Sequence, residues 1–278
     1  LAPDDAYRLL CHGRCDFAKE RKLPSSLRRC LLPMFLLALP LSASAEGQDA
    51  ATYDKCLALA RKDPSEGFET GSVWRDHGGG LPARHCVAVA LIGLKEYVEA
   101  AHRLEKIAAE MVRESDTLRA GVLAQAAEAW SEAGQSENAE AALTAALKLA
   151  PRNPDYLINR AVTYAQRKNY RAAVEDLNKA LAVGPRADAL AYRASAWRLL
   201  GDLKQARFDA EKAVQSDPNL AEAWLELGNI KRLSDDSAGA RQDWLKVIAL
   251  APDSAAADAA RDNIETLDVH VEGTVPAR

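Results

Sequence analysis

The 278-residue sequence has no apolar run long enough to cross a bilayer: its best candidate, Leu31 to Leu41, falls well short of the about 20 residues a spanning helix needs and carries Pro33 and Pro40. It also lacks a nucleophile elbow, a glycine-rich phosphate loop ahead of a helix, and paired cysteines at zinc spacing. Gly78, Gly79 and Gly80 are not followed by the Lys and Ser/Thr of a phosphate loop, and read instead as a joint that breaks a helix. No two histidines stand at helical i, i+4 spacing. A basic excess is missing too, since 36 Lys and Arg face 40 Asp and Glu, which argues against a nucleic-acid partner. These absences leave no expected catalytic residue and no expected cofactor.

The short apolar run has a different use. Arg28 and Arg29 precede it, and Ala43-Ser44-Ala45 follow it in a small-x-small pattern, the order of a secretory signal cleaved between Ala45 and Glu46. A buried helix or a loose N-terminal anchor is the alternative. No cysteine follows the small residues, so lipid modification is not indicated. Residues 1–27 stand ahead of the basic pair and the chain opens on Leu1, which fits either an overextended start or a long basic leader. Cleavage would remove seven basic and four acidic residues, leaving 29 against 36. It would also remove Cys11, Cys15 and Cys30 and leave Cys56 and Cys86, an even number suited to an oxidising compartment.

Internal repetition is the strongest signal. Prolines recur at Pro151, Pro185, Pro218 and Pro252, at spacings of 34, 33 and 34. Each closes a helix-period segment: AALTAALKLAP, AVEDLNKALAVGP, ARFDAEKAVQSDP and ARQDWLKVIALAP. Two helical segments per 34-residue period predict an all-α solenoid.

The last period, AEAWLELGNIKRLSDDSAGARQDWLKVIALAPDS, places Trp224, Leu227, Gly228, Ala240 and Pro252 so that it resembles the tetratricopeptide repeat family, departing from it at Lys231 and Val247. The resemblance implies a right-handed superhelical stack of antiparallel helix pairs. In its frame Ala88, Ala127, Ala161, Ala194 and Gly228 occupy the small position of the first helix, and Ala100, Ala139, Ala173, Ala206 and Ala240 that of the second. Small side chains let paired helices approach closely. Leu123, Leu157, Leu190, Trp224, Leu143, Leu177 and Trp244 are then core residues.

The expected organisation is a leader over 1–45, a divergent helix pair and glycine joint over 46–80, and repeats over 81–114, 120–153, 154–186, 187–220 and 221–254. A capping helix over 255–268 and a loose tail over 269–278 complete it. Polar terminal caps keep such stacks soluble. First helices stack side by side in such an array, which makes a Cys56–Cys86 disulfide feasible; two buried thiols are the other reading. Asp76, His77, His85 and Cys86, with His102 further on, form the sharpest polar cluster and could together bind a transition metal, although His77 lies before the glycine break.

The family resemblance also implies a concave face built from the first helices. Its exposed positions are Gln125 and Glu128; Asp155, Asn159 and Val162; Tyr192, Ser195 and Arg198; and Glu222, Glu226, Asn229 and Arg232. This polar strip suits an extended peptide or a partner helix. Asn229 matches one residue of the set with which some members hold a terminal carboxylate, but the lysines of that set are missing. The function implied is a non-catalytic exported scaffold or adaptor for protein or peptide partners, placed in a bacterial periplasm with no stable membrane span after cleavage. A metal-binding or enzymatic site in the divergent N-terminal segment, or a self-associating structural solenoid, are the alternatives.

Overall fold

The computed structural model describes residues 42–272, with side chains from Ala50 to Asp268, so the apolar run at 31–41 and the tail from 273 lie outside the described residues. Thirteen α-helices and no strand occupy the described residues. They divide at Gly93 and Leu94 into two compact units.

The N-terminal unit holds α1 (Ser42–Lys62), α2 (Pro64–Asp76) and α3 (Gly80–Gly93). The cleavage pair Ala45 and Glu46 falls in the first turns of α1. Asp63 caps α2 by accepting from the Glu66 amide at 3.1 Å, and Pro64 supplies the preset first helical residue. Gly78 and Gly80 take positive φ values of 91° and 55°, which is how the chain leaves α2 and enters α3. Close approach rests on small residues: a Cβ at Gly67 would strike the backbone of Ala60. Cys56 and Cys86 are joined by a disulfide with Cα atoms 6.0 Å apart, buried among Ala60, Ala90, Phe68 and Trp74.

The second unit runs from α4 (Tyr97–Glu110) through α5 (Asp116–Glu132), α6 (Ser136–Leu149), α7 (Pro154–Gln166), α8 (Tyr170–Val183), α9 (Ala187–Leu199), α10 (Leu203–Ser216), α11 (Ala221–Leu233), α12 (Ser237–Leu250) and α13 (Ala255–Glu272). The pairs α5/α6, α7/α8, α9/α10 and α11/α12 each pack as a hairpin, and each hairpin packs on the next. All ten small positions of the repeat frame are buried. At Gly228 a Cβ would come within 2.6 Å of the Trp244 indole nitrogen and 3.2 Å of the Ala240 carbonyl, so only glycine admits Trp244 there.

The hairpin turns repeat as faithfully. Gly134, Lys168, Gly201 and Asp235 carry φ values of 71°, 61°, 86° and 62°, and the helix that follows three of them is capped by Asn169, Asp202 or Asp236. Their spacings of 34, 33 and 34 match the proline period. Lys95, with φ 63°, has the same turn conformation ahead of α4.

Two boundaries differ from the sequence expectation. The segment 81–114, read as one repeat, contains the division at Gly93 and Leu94: α3 packs on α1 and α2, while α4 packs on α5. The reason lies in α3, where Ala83, Cys86, Val87, Ala88, Ala90 and Leu91 are all buried and need cover on more than one side. The closing helix, in turn, continues through 269–272, which the sequence assigned to a loose tail.

Candidate partner-binding face

The first helices carry the face that the sequence singles out. Helix α9 packs on α7 and α11, and α13 packs on α11, so these helices lie side by side and bring their equivalent positions together. Gln125 and Glu128 sit on α5, half-buried and exposed respectively. Although Glu128 is exposed as a residue, the protein around its carboxyl displaces water from it, and this desolvation, reinforced by the like charge of Glu132, raises its pKa above the ordinary glutamate value.

On α7, α9 and α11 several of these side chains are bonded to the protein itself. Asp155 pairs with Arg186, which stands at the start of α9 and also grips Asp188 at 2.6 and 3.0 Å. Arg198 on α9 forms a two-pronged ion pair with Glu226 on α11, and both side chains are nearly buried, at 16% and 7% exposure. Asn229 accepts from the Trp244 indole at 3.2 Å and from Asn263 of α13 at 3.0 Å, which ties the last hairpin to the closing helix. These groups set the spacing of the face. Asn159, Val162, Tyr192, Ser195, Glu222 and Arg232 are half-buried along it.

A second set of residues locks each of the last three hairpins beneath this face. Arg160 grips Asp176 through two bonds of 2.7 and 3.0 Å and reaches Thr144 of the preceding hairpin at 3.1 Å. Thirty-three residues on, Arg193 repeats the arrangement with Asp209, at 2.7 Å twice, and with Asn178 at 2.7 Å. In the last hairpin Lys231 takes over the role, 2.7 Å from Asp243. Burial raises the Asp243 pKa, with Lys231 acting against it. All three aspartates are nearly inaccessible, at 1–4% exposure. The signal was present: three aspartates at spacings of 33 and 34 inside otherwise apolar helix stripes.

The metal candidates do not converge. Cys86 is consumed by the disulfide, His85 is hydrogen-bonded to the Tyr53 hydroxyl at 2.8 Å, His77 donates to the Val73 carbonyl at 2.7 Å, and Asp76 pairs with Arg75. His102 meets Trp130 edge-on, with ring centroids 4.7 Å apart. Among the described residues no three His, Cys, Asp or Glu side chains are grouped to hold a metal, and no helix is long and apolar enough to cross a membrane.

Residues 154–185, which span α7, α8 and the turn beyond, match the tetratricopeptide repeat family. A comparison with curated proteins finds no match to the sequence. Solved structures share the architecture. A tetratricopeptide repeat protein from Parabacteroides merdae aligns with a TM-score of 0.61 at 14% identity, covering 79% of this chain and 93% of its own. The C-terminal part of a repeat-containing protein from Cytophaga hutchinsonii gives 0.58 at 15% identity, covering 78% and 95%. MamA from Desulfovibrio magneticus gives 0.54 at 21% identity, covering 62% and 95%. At these identities the likeness is one of fold: an all-α solenoid of the tetratricopeptide type.

Proposed function

We propose that this chain is a non-catalytic scaffold that holds a protein or peptide partner along the first helices α7, α9 and α11. The observation that carries the reading is the bonding of α9 to α11 by Arg198 and Glu226, and of α7 to the start of α9 by Asp155 and Arg186, with Asn159, Val162, Tyr192 and Ser195 half-buried along the strip. A face whose spacing is set before binding loses less conformational freedom when a partner docks. A repeat fold supplies a surface and not a reaction, so the partner is defined by that surface. Arg198 and Glu226 act in this reading as positioning residues.

Site-specific photo-crosslinking tests it. A crosslinking side chain at Ser195 is expected to yield a discrete adduct in intact cells, and one at Glu175 on the outer side of α8 to yield none of the same mass. Equal adducts at both positions would overturn the assignment. Reversing Arg198 is a poor probe, because a carboxylate placed against Glu226 would disturb the fold itself.

Export is part of the proposal. The order of Arg28-Arg29, apolar run and Ala43-Ser44-Ala45 supports it, as does a disulfide that suits an oxidising compartment such as a bacterial periplasm. N-terminal sequencing of protein recovered from cells is expected to begin at Glu46. Intact residues 1–45 on that protein would remove the export reading.

A further inference from the structure

The charge on the outer, second helices is not distributed as the whole chain's is. The chain carries 36 basic and 40 acidic residues. Helix α8 offers Arg171 and Lys179 against Glu175; α10 offers Lys204, Arg207 and Lys212 against Glu211; α12 offers Arg241 and Lys246 against no exposed carboxylate. The other acidic residues of these three helices are Asp176, Asp209 and Asp243, and they are buried and turned onto Arg160, Arg193 and Lys231 of the first helices. The hairpin locks therefore withdraw negative charge from the outer side, and these helices carry five cations outside any ion pair among the described residues, Arg171, Lys204, Arg207, Lys212 and Lys246, against the exposed carboxylates Glu175 and Glu211. Lys179 also reaches back to Asp176, and Arg241 is tied to Asp268 of α13.

The excess is local. Helix α4 carries Glu99, Glu105 and Glu110 against Arg103 and Lys106, and α6 carries Glu137 and Glu140 against Lys148. On the last three hairpins, by contrast, Lys179, Lys212 and Lys246 recur at spacings of 33 and 34, one per repeat. Large apolar side chains lie among them. Phe208 is 56% exposed and Leu245 52%, and Lys212 stands over the Phe208 ring at 5.2 Å.

We propose that the outer face of α8, α10 and α12 is a second docking surface, and that its occupant is an anionic phospholipid membrane surface, on which this protein lies peripherally. Distributed lysines and arginines are attracted to anionic headgroups, while exposed Phe and Leu side chains enter the headgroup boundary. A broad face with spread cations and interleaved apolar groups has the chemistry of such a surface; a single bound anion would call for a converging pocket. The assignment is independent of the partner face on the first helices, which lies on the other member of each hairpin.

The test is co-sedimentation of the full chain with vesicles of phosphatidylcholine alone and of phosphatidylcholine with phosphatidylglycerol. The apolar run at 31–41 and the basic residues around it are common to every variant, so the contribution of the outer face is read as the difference between the wild type and the charge variants on the same vesicles. The wild-type chain is expected to gain binding when phosphatidylglycerol is present and to lose that gain as salt is raised. Lys204→Glu, Lys212→Glu and Lys246→Glu together are expected to reduce the gain by about 100-fold at low ionic strength, with unchanged helical circular dichroism. The triple arginine variant at these positions is expected to retain it, and Phe208→Ser with Leu245→Ser to weaken what survives at high salt. An equal gain in the wild type and the triple glutamate variant, or no gain from phosphatidylglycerol, would overturn the proposal. So would charge-dependent retention on heparin or duplex DNA without vesicle binding.

Discussion

The two units of this molecule are held together by different means. The three-helix N-terminal unit has a covalent bond between Cys56 and Cys86, glycines where helices touch, and a core that mixes Phe68 and Trp74 with small residues. The array from α4 onward has no disulfide among its described residues and relies on repetition: buried alanines, a positive-φ turn and an inward aspartate, each recurring with the period. A unit of three helices has little core to bury, so a covalent tie matters most there. A repeat array adds nearest-neighbour interfaces, so weak contacts accumulate along it.

The largest test of this contrast is removal of the disulfide. Cys56→Ala with Cys86→Ala opens a link between residues 30 apart in sequence, and should cost about 3–4 kcal/mol. Hydrogen exchange resolved by peptide is expected to show lost protection in α1 to α3 and little change from α7 to α12. A uniform loss across the chain would show that the two units are not stabilised separately.

A smaller effect is expected in the array. Asp209→Ala leaves Arg193 without its main partner in a largely buried site, and should cost about 2–3 kcal/mol, at or below the usual range for breaking a buried pair because Arg193 keeps Asn178 and some water. Replacing both partners, Asp209→Leu with Arg193→Met, is expected to recover much of that loss in denaturant unfolding. A double variant as unstable as Asp209→Ala would mean that the pair contributes more than avoidance of an unpaired charge.

Lys168→Gly should stabilise by about 0.5–1 kcal/mol. It relieves a non-glycine residue at φ 61° and makes the turn like those at Gly134 and Gly201. Asp235→Gly should gain less, since Asp tolerates this conformation better. Equal thermal midpoints for wild type and Lys168→Gly would show that the turn costs nothing at this position.

The smallest effect is electrostatic. The Glu128 pKa is raised in the folded chain, so the folded state holds its proton more tightly and wild-type stability gains as pH falls through the glutamate range. Glu128→Gln should therefore be slightly more stable than wild type at pH 7, with the difference closing as pH is lowered into that range. A difference that persists unchanged at low pH would exclude titration as its source.

The hairpins were legible because their determinants are local. Proline spacing and alanines at close-approach positions act within one 34-residue period, and the structure places the helices accordingly. The candidate face was legible as a set of positions but not as a set of roles. Asp155, Arg198, Glu226 and Asn229 read as surface groups in a single repeat, yet their partners Arg186, Trp244 and Asn263 stand 31, 15 and 34 residues away, and Arg198 and Glu226 are 28 apart. The N-terminal segment was harder to place, because α3 carries repeat-like alanines but buries so much of its surface that it joins α1 and α2.

The sequence by itself therefore determined the period, the helix pairs, the turns and the cysteines available to pair, since each depends on neighbouring residues and on side-chain size. Tertiary structure alone decided that Arg198 closes on Glu226, that three aspartates turn inward, and that the lysines of α8, α10 and α12 are left facing outward together. The physical reason is that charge is compensated through space and not along the chain, so its balance on any face exists only once the helices have packed.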